Sequence, residues 1–188
     1  MPTDYQAVFQ QALPYGDFLA AHASPDQQQR WQQMADSVEL GSDQRQLLGS
    51  FTRQMKVLCI AGAWCGDCVD QCPILWHFAE ASDVIELRFI DRDADKSFQQ
   101  QMMMCGGARV PQVVFLSEDG EFVGHFGDRT LARYRQMASS QLGAACPTGI
   151  VVPERSLTEA VTTEWLDQFE RIHLVLRTSP RLRELHAD

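Results

Sequence analysis

The sequence predicts an α/β fold with one central sheet flanked by helices and with helical extensions at both ends. Three observations predict it. Val57-Leu58-Cys59-Ile60-Ala61 is a short, nearly all-apolar run, the pattern of a strand buried on both faces. Periodicity then alternates as strand, helix, strand, helix, hairpin, helix up to residue 142, which describes layers around a single sheet. The stretches outside that core carry helical spacing only. Residues 1–54 are expected to form a helical N-terminal extension packed on the core. Residues 55–142 form the α/β domain, and residues 143–188 a loop with an amphipathic helix.

Each element has its own signal. Tyr5, Val8, Phe9 and Leu13 recur at helical spacing until Pro14 and Gly16 break the run. Ser24 before Pro25 reads as an N-cap with proline at the first helical position, ahead of the stripe Trp31, Met34 and Val38. Gly41 ends that helix and Ser42 starts another, carrying Leu47, Leu48 and Phe51. After the first strand and the Gly62–Asp67 turn, a helix from about Cys68 to Ala81 presents Ile74, Leu75 and Phe78. Ile85 to Ile90 alternates like a half-buried strand, and Asp95 to Met104 reads as a helix ended by Gly106-Gly107. Gln112 to Leu116, Asp119-Gly120 and Glu121 to Phe126 make a hairpin, followed by a helix from Thr130 to Leu142. Ser156 and Glu159 form a capping box before Leu157, Val161, Trp165, Phe169, Ile172 and Leu176, a helix of about four to five turns. Its apolar stripe is expected on the N-terminal helices or the sheet edge rather than at a dimer contact.

A chain of 188 residues holds one domain with an appendage, or at most two small ones. It can bury roughly 70% of its unfolded surface and needs no disulfide staples. With 16 Lys and Arg against 25 Asp and Glu, the net charge of -9 argues against nucleic-acid or anionic membrane partners. No apolar run reaches bilayer length, and the opening Met-Pro-Thr-Asp-Tyr has no signal-peptide pattern, so a cytoplasmic location is expected. The cysteines are Cys59, Cys65, Cys68, Cys72, Cys105 and Cys146. In a reducing compartment such close spacing points to redox chemistry or metal rather than cross-linking.

Trp64-Cys65-Gly66-Asp67-Cys68 lies between a buried strand and a helix. A cysteine at a helix N-terminus gains thiolate stabilisation from the dipole and the free N–H groups. Cys65 is therefore the expected nucleophile, and Cys68, one turn inside, the resolving thiol. Arg109-Val110-Pro111-Gln112 enters a strand, and a cis bond before Pro111 would turn the Val110 backbone toward the cysteines. The Val110 N–H and C=O would then hold an extended substrate segment by strand-type hydrogen bonds, and Trp64, Val110 and Pro111, with Arg109 beside them, would line the contact surface.

On these residues, together with Gly124 in the last hairpin strand, the sequence over about residues 55–142 resembles the thioredoxin superfamily. Within it the chain is most similar to a bacterial thioredoxin-like branch with a Trp-Cys-Gly-Asp motif and a helical N-terminal extension. Arg88-Phe89-Ile90-Asp91-Arg92-Asp93 and Gly106-Gly107-Ala108-Arg109-Val110-Pro111 also fit that branch. The resemblance implies a thioredoxin-like fold, with a central mixed four-stranded sheet. It also implies thiol–disulfide oxidoreductase activity on a disulfide-containing protein or small-molecule disulfide. An external reductant of thioredoxin reductase or glutathione type would serve it, and no bound cofactor.

Three departures bear on tuning. Asp67 stands where thioredoxin has proline beside Gly66, and its carboxylate is expected to make Cys65 less acidic. Cys59 occupies the place of thioredoxin's buried aspartate, so assisted proton transfer from Cys68 is weakened. Cys72, four residues after Cys68, lies on the same helical face and reads as a small core residue or a third redox thiol. Cys105 is a packing residue or an oxidation partner, and Cys146 precedes Pro147 in a loop.

Two other readings compete. One is a thioredoxin-fold binding module with idle cysteines. The other is an iron–sulfur or zinc site through Cys65, Cys68 and Cys72, with His77 for zinc. A rigid helix sets Cys68 and Cys72 side by side rather than around a cluster, so no metal is expected.

Overall fold

The structure, a computed structural model, describes residues 4–142 and 156–187. Cys146, Pro147 and the rest of the loop reading after residue 142 lie outside the described residues, as does the opening Met1 to Thr3. The elements run α1 (Tyr5–Gln11), α2 (Tyr15–His22), α3 (Pro25–Ser37), α4 (Ser42–Gly49), β1 (Met55–Ala61), α5 (Gly66–Glu80) and β2 (Ile85–Asp91). There follow α6 (Lys96–Gln101), β3 (Gln112–Ser117), β4 (Phe122–Gly127), α7 (Leu131–Leu142), α8 (Leu157–Thr178) and α9 (Pro180–His186). The strands form one mixed sheet in the order β2-β1-β3-β4, with β1 and β2 parallel and the other pairs antiparallel. This is the predicted α/β architecture, a four-stranded mixed sheet with flanking and terminal helices.

The all-apolar run became the central strand. Val57, Leu58, Cys59 and Ala61 are fully buried, because helices cover both faces of β1 while β2 and β3 pair with its edges. The N-terminal helices differ in detail from the periodicity. Leu13 is not on α1. Its backbone forms a two-bond bridge with Phe89, at 2.8 and 2.7 Å, which occupies the outer edge of β2. Pro14 does not end helical structure but precedes α2, whose Phe18 is fully buried. Proline is tolerated there because the first helical N–H groups have no intrahelical acceptor.

Helix α6 is shorter than expected. It stops before Met104, which bridges Gly107 across a turn where Cys105 and Gly106 take positive φ. Helix α8 is longer, 22 residues or about six turns, and Ser156 and Glu159 form the predicted capping box. Its stripe does not pair mainly with the N-terminal helices. It packs on α5, α7 and the edge strand β4: Phe169 sits edge-on to Phe78 and Phe115, and Trp165 to Phe126. Gly124 makes this approach possible, since a Cβ there would stand 2.9 Å from Ile172 Cδ1. Among the described residues no helix is long and apolar enough to cross a membrane.

Candidate active site

Cys65 is the N-cap of α5, held by its N–H bond to the Gly62 carbonyl (2.9 Å) and by its own carbonyl accepting from Val69 N–H (3.0 Å). Strand β1 delivers the chain to this point, and α3 fixes the turn: the buried Trp31 indole donates to the Ala63 carbonyl at 2.9 Å. Gly62 leaves room for the Trp64 ring, which a Cβ would meet at 2.7 Å. Trp64 is exposed, with the Arg92 guanidinium 4.6 Å from the ring centroid. A Cβ at Gly66 would meet nothing within 4 Å, so the motif's glycine borders open space.

The sulfurs differ in access. Cys65 is partly exposed, whereas Cys68 is fully buried behind it. Cys65 Sγ lies 3.6 Å from the Val110 carbonyl oxygen, which accepts its hydrogen bond. The Val110–Pro111 bond is cis. Both side chains are buried. Arg109 is exposed and reaches Asp128 (3.5 Å) and the Tyr134 hydroxyl (3.3 Å).

The two thiols titrate together. Donation of its proton to Cys68 pushes Cys65 up, and burial adds to the shift. Burial also opposes ionisation of Cys68, but hydrogen bonds from the Cys65 and Cys72 thiols and from Gly62 N–H outweigh it and pull Cys68 down. The first proton therefore leaves the pair below the usual 9.0 and the second far above it. The Asp67 carboxylate is not among the causes that raise Cys65. Asp67 accepts from Arg129 at 2.8 and 2.5 Å and from Arg133 at 3.2 Å, two guanidiniums that offset its charge.

Neither cation was legible as part of the site. Arg129 lies just before α7 and Arg133 in its first turn, with no motif linking them to a turn some sixty residues earlier in the sequence. Also missed was Gln71, whose amide donates to the Asp67 and Asp128 carbonyls (3.2 and 3.1 Å) and accepts from Trp165 Nε1 (3.0 Å). Asp128 itself is buried and accepts from Arg129 and the Tyr134 hydroxyl.

Cys59 and Cys72 are fully buried. Burial pushes both thiols up, so Cys59 offers no base at neutral pH. Cys105 is exposed on the turn after α6. His77, on the far half of α5, meets the Ala35 carbonyl at 2.8 Å. Among the described residues no group of three or more His, Cys, Asp or Glu side chains is arranged to hold a metal ion. A thiol pair with one reachable sulfur, a hydrogen-bonded partner behind it and an adjacent backbone acceptor is equipped for disulfide exchange.

Comparison with known proteins bears on the fold. A crystal structure of a protein of unknown function from Pseudomonas aeruginosa is similar at TM-score 0.69 and 18% identity, covering 91% of this chain and 97% of that one. An HIV epitope scaffold is similar at TM-score 0.63 and 16% identity, covering 94% and 99%. These likenesses extend the shared fold to the terminal helices. No curated protein matches by sequence. The thioredoxin family model matches residues 15–140, taking in α2 to α4 as well as the sheet and the cysteine turn, and the chain belongs to the thioredoxin family.

Proposed function

We propose that the protein is a thiol–disulfide oxidoreductase working through Cys65 and Cys68. The observation that carries this reading is the placement of Cys65: a partly exposed N-cap of α5, with Cys68 buried behind it and the Val110 carbonyl beside it. The proton shared by the two sulfurs passes to Cys68, and the Cys65 thiolate attacks a substrate disulfide. One substrate sulfur leaves as a thiolate and takes up a proton, and a Cys65–substrate mixed disulfide remains. Cys68 then loses its proton and attacks Cys65 Sγ. The second substrate sulfur leaves reduced, and the chain holds a Cys65–Cys68 disulfide. An external dithiol or glutathione-type reductant returns the two electrons. Trp64 and the Val110 backbone flank the incoming segment, with Arg109 at its margin.

Reduction of bis(2-hydroxyethyl) disulfide, with glutathione and glutathione reductase as the coupled donor, tests the reading. Cys65→Ser abolishes turnover, and Cys68→Ser accumulates a mixed disulfide on Cys65 visible as an added mass. Turnover by the Cys65→Ser variant at the native rate would falsify it.

A further inference from the structure

The mechanism uses two of the buried or half-buried thiols and leaves two behind them. Cys59 on β1 and Cys72 on α5 face each other across the packed interface, with their sulfurs 3.7 Å apart and no solvent exposure. Cys72 also lies within hydrogen-bonding reach of Cys68, one helical turn earlier on the same face. Cys68 in turn meets Cys65. The cysteines thus follow one another from the half-buried Cys65 through Cys68 and, one helical turn on, Cys72 to Cys59 in the core. A disulfide needs sulfurs about 2.05 Å apart. The inner pair is already in contact, on two elements whose side chains point at each other.

We propose that Cys59 and Cys72 form a second redox pair, loaded through Cys68, so that one chain stores two disulfides. The proposal rests on the oxidoreductase reading above. Once the outer disulfide has formed, Cys72 loses its proton and attacks Cys68 Sγ. The Cys65–Cys68 bond breaks, Cys65 leaves as a thiolate, and a Cys68–Cys72 disulfide forms. Cys59 loses its proton and attacks Cys72 Sγ, and Cys68 leaves as a thiolate. The two protons released by the inner thiols end on Cys65 and Cys68. Two electrons have moved outward, the outer dithiol is restored, and no outside reactant is consumed. Burial keeps the inner thiolates scarce, so this transfer is slower than the outer chemistry, and the same burial shields the inner disulfide from reductants in solution.

The test uses the full chain carrying Cys105→Ser and Cys146→Ser. The fully reduced protein, freed of reductant, is mixed with excess bis(2-hydroxyethyl) disulfide, and the 2-mercaptoethanol released is counted by chromatography. Samples are acid-quenched, alkylated under denaturing conditions and digested to map disulfides. The expected result is four equivalents per chain in two phases, the faster with Cys65–Cys68 linked and the slower with Cys59–Cys72 linked. Two equivalents, with Cys65–Cys68 linked and Cys59 and Cys72 alkylated, would overturn the inner pair while leaving the oxidoreductase reading intact. Absence of the Cys65–Cys68 link overturns both. In a Cys68→Ser variant the inner disulfide is expected not to form, and its formation at the native rate would overturn the relay.

Discussion

Asp67 lies between Cys65 and Cys68 in sequence, and two guanidiniums pair with its carboxylate. Arg129 and Arg133 bind its two oxygens, and Arg133 also reaches Asp70 at 2.9 Å. The carboxylate serves to fasten the start of α5 to the start of α7. Asp67→Asn would take one ionised acceptor from each guanidinium, leaving Arg129 to Asp128 and Arg133 to Asp70, and a loss of about 1–3 kcal/mol is expected in urea unfolding. The same change removes a charge that opposes ionisation of Cys68, so the thiolate absorbance near 240 nm should appear at lower pH. Unaltered stability would show that the ion pairs are too solvated to matter. At this scale the motif residues were readable because spacing and flanking elements define them. Their partners were not, because an ion pair across the fold leaves no mark in local sequence.

Helix α8 was legible as an amphipathic element, but its role at the site was not. Its Trp165 reaches Gln71, and Gln71 binds the Asp67 and Asp128 carbonyls, so a C-terminal helix braces the cysteine turn. Trp165→Phe keeps most of the packing against Phe126 and removes the indole N–H. The buried Gln71 oxygen then loses that donor, costing about 1–3 kcal/mol. With Gln71 released, the disulfide-reduction rate is expected to fall while Cys65 stays reactive toward alkylation. An unchanged rate alongside lowered stability would reduce Trp165 to a packing role. The helices α2 and α9 escaped notice for a simple reason. Each begins at a proline, Pro14 or Pro180, which reads as a break but is tolerated at a helix start.

Across the whole molecule the terminal helices share one core with the sheet, and the buried His173 ties α8 to the segment that leads into β1. His173 on α8 accepts the Thr52 N–H at 3.1 Å and stacks on Phe51, while His125 on β4 meets Gln112 at 2.9 Å. Burial holds both below the ordinary 6.5, so the folded protein keeps them neutral where the unfolded chain binds protons. Their contribution to stability is complete above pH 6.5 and is lost as pH falls through the lowered folded values. The melting temperature should therefore drop from pH 7 toward pH 5, and His173→Gln should flatten that drop. A profile with the same slope in the variant would locate the pH dependence elsewhere.

By itself the sequence determined the order of elements, the buried central strand and the placement of two cysteines at a helix start, since each depends on neighbours a few residues apart. Only the tertiary structure decided that the Val110 carbonyl meets Cys65, what balances Asp67, and that Cys59 and Cys72 touch. Those are distances between segments remote in the chain, set by how the sheet and helices pack against one another.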